Sequence, residues 1–393
     1  MEDMRIGIDC RNVIDHADGQ LTGVGNYTFS LVNALAAEFP EDHFILFIVS
    51  QDRISDSMQL LMRQDNVSIV PIAESGEVPF VTSHWALAQA AKKAACDVFH
   101  APAYVAPFFS RVPTVVTVHD LTIYEHPEWF AEQSSFSRRV LVPRSVKTAD
   151  QVIAVSEYTK NKIHDIFQLP DSRVSVVYEA AVVSQLLVHE LENIMIGLKE
   201  YYHLSDQFFF FVGTLEPRKN LPRLIQAFDA VVDQLLQEGD SRAAELELVI
   251  AGKRGWKFDD IYTAAEQSSY TSRIRFIDYV SESEKMALIA HSQAVVMPSL
   301  DEGFGLPAVE AMEIGTPVIA SRLGALPEVT GGHAVLIDPY DVADIQKGLL
   351  RVLHDGAAID HLVSGASEYV KRFTWQRAAQ MTMGVYRKAA KTA

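Results

Sequence analysis

Residues 294–321 read AVVMPSLDEGFGLPAVEAMEIGTPVIAS. A short apolar run, 294–297, opens the stretch and another, 317–320, closes it. Between them lie Gly303 and Gly305, then Pro307, which suits the first turn of a helix, and Gly315, which suits its stop. The pattern predicts strand, glycine turn, helix of about two turns, and strand again, which is one step of a parallel sheet covered by helices. It also places two carboxylates, Glu302 and Glu310, on either side of the turn. Main-chain amides at such a helix start face outward at the positive end of the dipole and suit a phosphate. Acids beside a phosphate make sense when they address other atoms, and vicinal sugar hydroxyls are the obvious donors to them. Read alone, Glu310 equally suits complementing the helix dipole, and Glu302 a solvated loop.

The same grammar runs along the whole chain. In the first half the strand candidates are 5–10, 44–49, 67–72, 97–99, 114–118, 151–155 and 174–177. In the second half they are 208–212, 246–251, 274–277, 294–297, 317–320 and 334–337, with stretches of helical period between. No strand signal falls between 180 and 205, where QLLVHELENIMIGLKEYY reads as one helix in a linker. The expected class is α/β, with two doubly wound, Rossmann-like domains. An N-terminal domain spans 1–185, a C-terminal domain 186–375, and a last helix, 376–393, is expected to pack back on the first domain. In such a pair the carboxyl ends of the strands would line a cleft, so the residues just after strands are the ones to question.

Bulk properties narrow the function. A chain of 393 residues exceeds one ordinary core, since about 100 to 200 residues make a domain. The net charge of −17 argues against nucleic acid as a partner, because binding it needs a dense basic surface. Only Cys10 and Cys96 are present, which predicts no disulfide framework and fits a reducing, cytoplasmic compartment. The longest apolar runs, such as FFFFV at 208–212, fall short of the roughly 18 to 20 residues of a membrane span. Arg138, Arg139, Arg144 and Lys147 form a local basic excess that suits peripheral contact with the inner face of a membrane, or an ordinary solvated helix face.

Three more stretches carry polar groups at strand ends. GTLEPRKNLPRLIQAF places Gly213 at a strand end and Arg218 and Lys219 before an amphipathic helix. Two cations at a helix start oppose the dipole, so the pair is costly unless an anion sits among them. LTGVGNYTFSLVNAL offers Gly23 and Gly25 before a helix, without the third glycine and ribose acid of a dinucleotide fingerprint. TVVTVHDLTIYEHP sets His119 and Asp120 just after a buried strand. A hydrolase triad is not supported, because the chain has no G-x-S-x-G elbow. His84, His100, His119 and His126 lack the spacing of a zinc site.

Taken together, GVGNYT, the His of VHD, VIAVSEYTK, GTLEPRKN, AGKRGW, PSLDEGFGLPAVEAM with its E-x7-E pair, and GTPVIAS resemble the family 4 glycosyltransferases of the GT-B fold. These are retaining enzymes that use nucleotide sugars, and the likeness spans essentially the whole chain. The resemblance implies that Glu310 binds the nucleotide ribose and that Glu302 approaches the donor sugar. It implies that Gly303, Phe304, Gly305 and Leu306, with Gly213, Arg218 and Lys219, hold the diphosphate. His119 would contact the sugar near the reacting carbon, and Gly25 the phosphate from the other domain. The family needs no metal and no cofactor beyond its nucleotide-sugar substrate. The variants here look most like bacterial polysaccharide-assembly mannosyltransferases, which implies GDP-mannose as donor and a glycan or lipid-linked oligosaccharide as acceptor. A sugar-nucleotide epimerase, or a non-catalytic sugar-nucleotide-binding protein, would share the same architecture. Two departures stand out: Thr214 follows the strand-end glycine where many relatives carry Arg, and VVYEAAVVSQ replaces an Asn-Gly turn near the linker.

Overall fold

The computed structural model describes residues 3–13, 23–49, 56–72, 79–107, 109–130, 137–181 and 188–391. The expected domain boundary at 185/186 lies outside them. All thirteen expected strands form. They are β1 (Arg5–Asp9), β2 (His43–Val49), β3 (Val67–Ile72), β4 (Val98–Ala101), β5 (Thr114–Val118), β6 (Gln151–Ala154) and β7 (Val174–Val176), then β8 (Phe208–Val212), β9 (Glu247–Ala251), β10 (Ile274–Ile277), β11 (Ala294–Met297), β12 (Val318–Ser321) and β13 (Val335–Ile337). β1 to β7 make a seven-stranded sheet in the order 3-2-1-4-5-6-7, and β8 to β13 a six-stranded sheet in the order 10-9-8-11-12-13. Every paired strand is parallel. Parallel strands covered by helices on both faces read as continuous apolar runs, and β5, β6, β9, β11 and β12 are buried throughout.

The chain divides into two compact units. The first comprises Met1–Leu121, Gln133–Ala180 and Phe373–Ala393, and the second Thr122–Glu132 and Ala181–Arg372. The largest difference from the expected domain 1–185 is that segment 122–132 belongs to the second unit. The reason lies in three contacts. Thr122 Oγ1 donates to Asp301 Oδ2 at 2.6 Å, the indole of Trp256 donates to the carbonyl of Trp129 at 2.7 Å, and the Phe130 ring stacks on Trp256. The first unit's core joins Ile6, Ile8, Leu31, Val98, Val115 and Ile153 to Met383 and Tyr386 of the helix Trp375–Ala390. The second unit's core is built on Phe209, Phe211, Leu248 and Ile250 with the helix Leu221–Glu238. That helix buries Leu221, Leu224, Ile225, Phe228, Val231, Val232 and Leu235, the three-and-four spacing of one apolar face.

Candidate active site

In the second unit the site is assembled where β8 and β11 end. The helix Leu306–Ile314 starts behind Gly305, whose φ of 106° is a conformation that favours glycine, and Pro307 stands in its first turn. A short 3-10 turn, Pro217–Lys219, precedes the helix Leu221–Glu238. Asn220 links the two, its amide donating to the carbonyls of Pro298 at 3.0 Å and Pro339 at 2.7 Å. Arg218 and Lys219 are thereby carried to the end of β11, and both meet Glu302. Arg218 donates to Glu302 Oε2 at 2.7 Å and to the carbonyl of Asp301 at 2.9 Å, while Lys219 donates to Glu302 Oε1 at 2.5 Å. Ser299 Oγ completes the shell around Oε1 at 2.7 Å, and Glu216 takes the other side of the Arg218 guanidinium at 2.7 Å.

This answers the puzzle of two cations at a helix start. Their anion is supplied by the chain itself, from Glu302 and Glu216, so the pair does not by itself require a phosphate. Burial alone would lift the Glu302 carboxyl, but the charges of Arg218 and Lys219 outweigh it and bring the group down to about 2. Glu302 is therefore a firmly ionised, fully engaged carboxylate. Gly324 makes room for it: a Cβ there would stand 2.7 Å from the Glu302 amide nitrogen, and φ is 69°. The Ala325 amide donates to the Glu302 carbonyl at 2.9 Å.

Glu310, on the helix behind the glycine turn, is engaged differently. Its Oε1 accepts from Lys285 Nζ at 2.7 Å, whereas its buried Oε2 has no hydrogen-bond partner among the described residues. Burial raises the Glu310 carboxyl and Lys285 opposes it, leaving the group above the ordinary carboxylate range. Lys285, on the helix Glu282–His291, also pairs with Glu282 at 2.8 Å. Glu302 and Glu310 thus have opposite characters: one saturated by cations, the other with a lone acceptor left over. Gly303, Phe304, Gly305 and Leu306 run between the two acids, and Gly213 follows β8 with its amide donating to the carbonyl of Ala251.

In the first unit His119 follows β5. Its Nε2 donates to the carbonyl of Pro102 at 2.8 Å, and its Nδ1 lies 2.8 Å from Glu179 Oε1. The rings of Tyr27 and Tyr104 meet it edge-on, with centroids 4.7 and 5.6 Å away. Burial pulls the imidazole down, but the Glu179 hydrogen bond and charge, then Pro102 and Asp120, leave it above its ordinary value. A carbonyl can only accept, so Nε2 carries a proton. Gly25 lies inside the first turn of the helix Gly23–Glu38, not ahead of it. Buried His100 bridges Tyr386 and Thr117 at 2.8 Å each, and His126 stacks on Trp129. Among the described residues no group of three His, Cys, Asp or Glu could hold a metal ion.

Glu179, Glu216, Lys285 and Gly324 were not singled out from the sequence. Glu179 had a usable signal, an acid just beyond the last strand of its sheet, within the stretch that departs from the family pattern. Lys285 shows only an ordinary i,i+3 pair with Glu282, which marks a helix face and nothing more.

Two family descriptions match the chain: Glycosyltransferase Family 4 over residues 21–182 and Glycosyl transferases group 1 over residues 200–369. The chain is 26% identical over 380 residues to the O-antigen chain mannosyltransferase B of Escherichia coli, covering 93% of this chain and 96% of that protein. It is 26% identical over 266 residues to the O-antigen chain mannosyltransferase RfbU of Salmonella typhimurium, covering 68% of this chain and 67% of that one. In fold it resembles sucrose-phosphate synthase from Thermosynechococcus elongatus, with a TM-score of 0.73 at 18% identity, covering 99% of this chain and 100% of that one. It also resembles Anabaena HepE in complex with UDP-glucose, with a TM-score of 0.69 at 18% identity, covering 99% of each chain.

Proposed function

Since this chain belongs to the family 4 glycosyltransferases and has the GT-B fold, we propose that it moves a mannosyl group from GDP-mannose, with retention, to a glycan or lipid-linked oligosaccharide acceptor in polysaccharide synthesis. The two mannosyltransferase relatives support the sugar and the class of product. The single observation that carries the donor site is the unpartnered, buried Oε2 of Glu310 beside a glycine-started helix. An acceptor left without a donor in the interior costs about 1 to 3 kcal/mol, and a ribose hydroxyl removes that cost.

The diphosphate then falls to the helix start at Gly303 to Leu306, with Gly213 and the cations Arg218 and Lys219. Negative charge grows on the leaving nucleotide as the glycosidic bond breaks, and the two cations share themselves between it and Glu302. Glu302 is a poor nucleophile, because both its oxygens are held in ion pairs. This favours attack on the face the nucleotide leaves, through an oxocarbenium-like state, with a donor phosphate oxygen taking the acceptor's proton. His119, buried and held by Glu179, acts on the chemical step, and Gly25 approaches the phosphate. Cationic side chains serve in place of a metal, so turnover is expected to be unchanged in EDTA. The acceptor side draws on the basic stretch of the first unit, where Arg144 stands 4.9 Å over the Phe109 ring beside a cavity of about 310 Å3. The side chain of Arg138 lies outside the described residues.

Calorimetric titration of the wild type and Glu310→Gln with GDP and UDP tests the donor site. GDP is expected to bind more tightly than UDP, and Glu310→Gln to weaken GDP by roughly 10- to 100-fold. Equal binding by both proteins would remove Glu310 from the site.

A further inference from the structure

The pairing of Glu310 with Lys285 has no counterpart among the site residues expected from the sequence. A carboxylate that receives a ligand hydroxyl usually keeps both oxygens toward it. Here Oε1 is held by Lys285 at 2.7 Å, and only Oε2 is left. The side chains are 5% exposed for Glu310 and 14% for Lys285, against 42% for Glu282, so the second partner of Lys285 is the solvated one. We propose that Lys285 is a positioning residue for nucleotide binding: it anchors Oε1 of Glu310 and supplies its counter-charge, so that a single oriented oxygen, Oε2, meets the ribose of a nucleoside diphosphate. This rests on the donor site proposed above and extends it to the residue that makes the site work.

The chemistry follows from burial. An ionised carboxylate out of water needs a close cation, and without one it takes up a proton and stops accepting from a hydroxyl at that oxygen. The charged groups facing Glu310 are Lys285 and Glu282 from the helix Glu282–His291 and Glu313 from its own helix. Lys285 is the one cation of the three. Glu282 acts against ionisation of Glu310, and Glu310 in turn raises the carboxyl of Glu313. Burial already raises the Glu310 carboxyl with Lys285 in place, so removing Lys285 raises it further.

A purely structural ion pair between two helices would have a different signature, since its loss would weaken the fold and leave the pH dependence of binding alone. The test measures the dissociation constant of GDP, with UDP in parallel, from about pH 6 to about pH 9 for the full chain. The variants are Lys285→Met, Lys285→Gln, Lys285→Arg and Glu310→Gln, each first shown to be folded by its thermal melt. The uncharged variants are expected to bind about 10-fold or more weakly at the acid end of the range and to draw toward the wild type as rising pH ionises Glu310. Lys285→Arg is expected to restore the wild-type profile, and Glu310→Gln to be weak at every pH. A constant ratio of variant to wild type across the range, with Glu310→Gln still weak, overturns the positioning role and leaves the donor site standing. Unweakened binding by Glu310→Gln, or no binding of either nucleotide by the wild type, overturns both.

Discussion

Glu302 is where residue-level chemistry departs most from the reading of its type. In the sequence it is an acid in a glycine turn, free to meet a sugar. In the structure it is the anion that neutralises Arg218 and Lys219. Glu302→Gln therefore leaves two largely buried cations short of a partner, and breaking such a network costs about 3 to 5 kcal/mol. The expected result is a lower Tm, turnover reduced well below wild type, and GDP binding no weaker than wild type, because the cations then face the diphosphate without a competitor. Calorimetry and a thermal melt on the same variant check all three. The sign with pH is also set. Glu302 ionises lower in the folded chain than in the unfolded one, so its contribution is present above the ordinary carboxylate range and fades as pH falls toward about 2. Glu302→Gln is expected to flatten the acid limb of the stability curve. His119 runs the other way: its raised value keeps the ring charged to higher pH, and turnover is expected to fall as pH rises through it. Glu179→Gln removes the hydrogen bond and charge that raise it, so that variant's alkaline limb is expected to move to lower pH. His119→Ala is expected to lower kcat by about 100-fold with little change in nucleotide affinity. Residue types and strand ends were legible in the sequence, which is why His119, Arg218, Lys219, Glu302 and Glu310 stand out there as candidates. Their partners were not, since Glu179 lies 60 residues from His119 and Lys285 lies 25 from Glu310, and period and propensity carry no information at that range.

At the scale of elements, legibility follows burial. Parallel strands covered on both faces are apolar along their whole length, so runs such as FFFF in β8 and AVV in β11 stand out as strands with no need of alternation. The helix Leu306–Ile314 was equally plain, with Gly305 before it and Gly315 closing it at a φ of 89°. Gly324 was not, because nothing local demands it. Its role is to let the turn after β12 pass against the backbone of Glu302. Gly324→Ala adds a Cβ 2.7 Å from the Glu302 nitrogen in a conformation with φ of 69°. The expected outcome is a drop in Tm together with loss of GDP affinity, as the glycine turn shifts. Gly239→Ala is the control: it has a similar φ of 71° with nothing within 4 Å, so it is expected to cost some stability and leave binding unchanged.

Two sheets, a core in each unit and a returning helix organise the described residues. The helix Trp375–Ala390 follows the second unit in the chain, yet its buried side chains belong to the first unit's core. Apolar residues on more than one face of that stretch are the sequence trace of this packing, since a helix that covered no core would have no reason to carry them. Met383 is fully buried there, and Met383→Ala is expected to cost about 2 to 5 kcal/mol, read as a lower Tm for the first unit. The place of segment 122–132 in the second unit was not legible, because it depends on Thr122 meeting Asp301 and on Trp129 and Phe130 meeting Trp256, each across more than 100 residues of chain. Among the described residues no helix is long and apolar enough to cross a membrane. The measurement that tests the central claim most directly is release of GDP from GDP-mannose, with and without a panel of lipid-linked and polysaccharide acceptors. The expected result is acceptor-dependent release, one GDP for each mannosyl group incorporated, with the anomeric configuration of the donor kept. GDP release indifferent to every acceptor, or conversion of the nucleotide sugar without transfer, would contradict it.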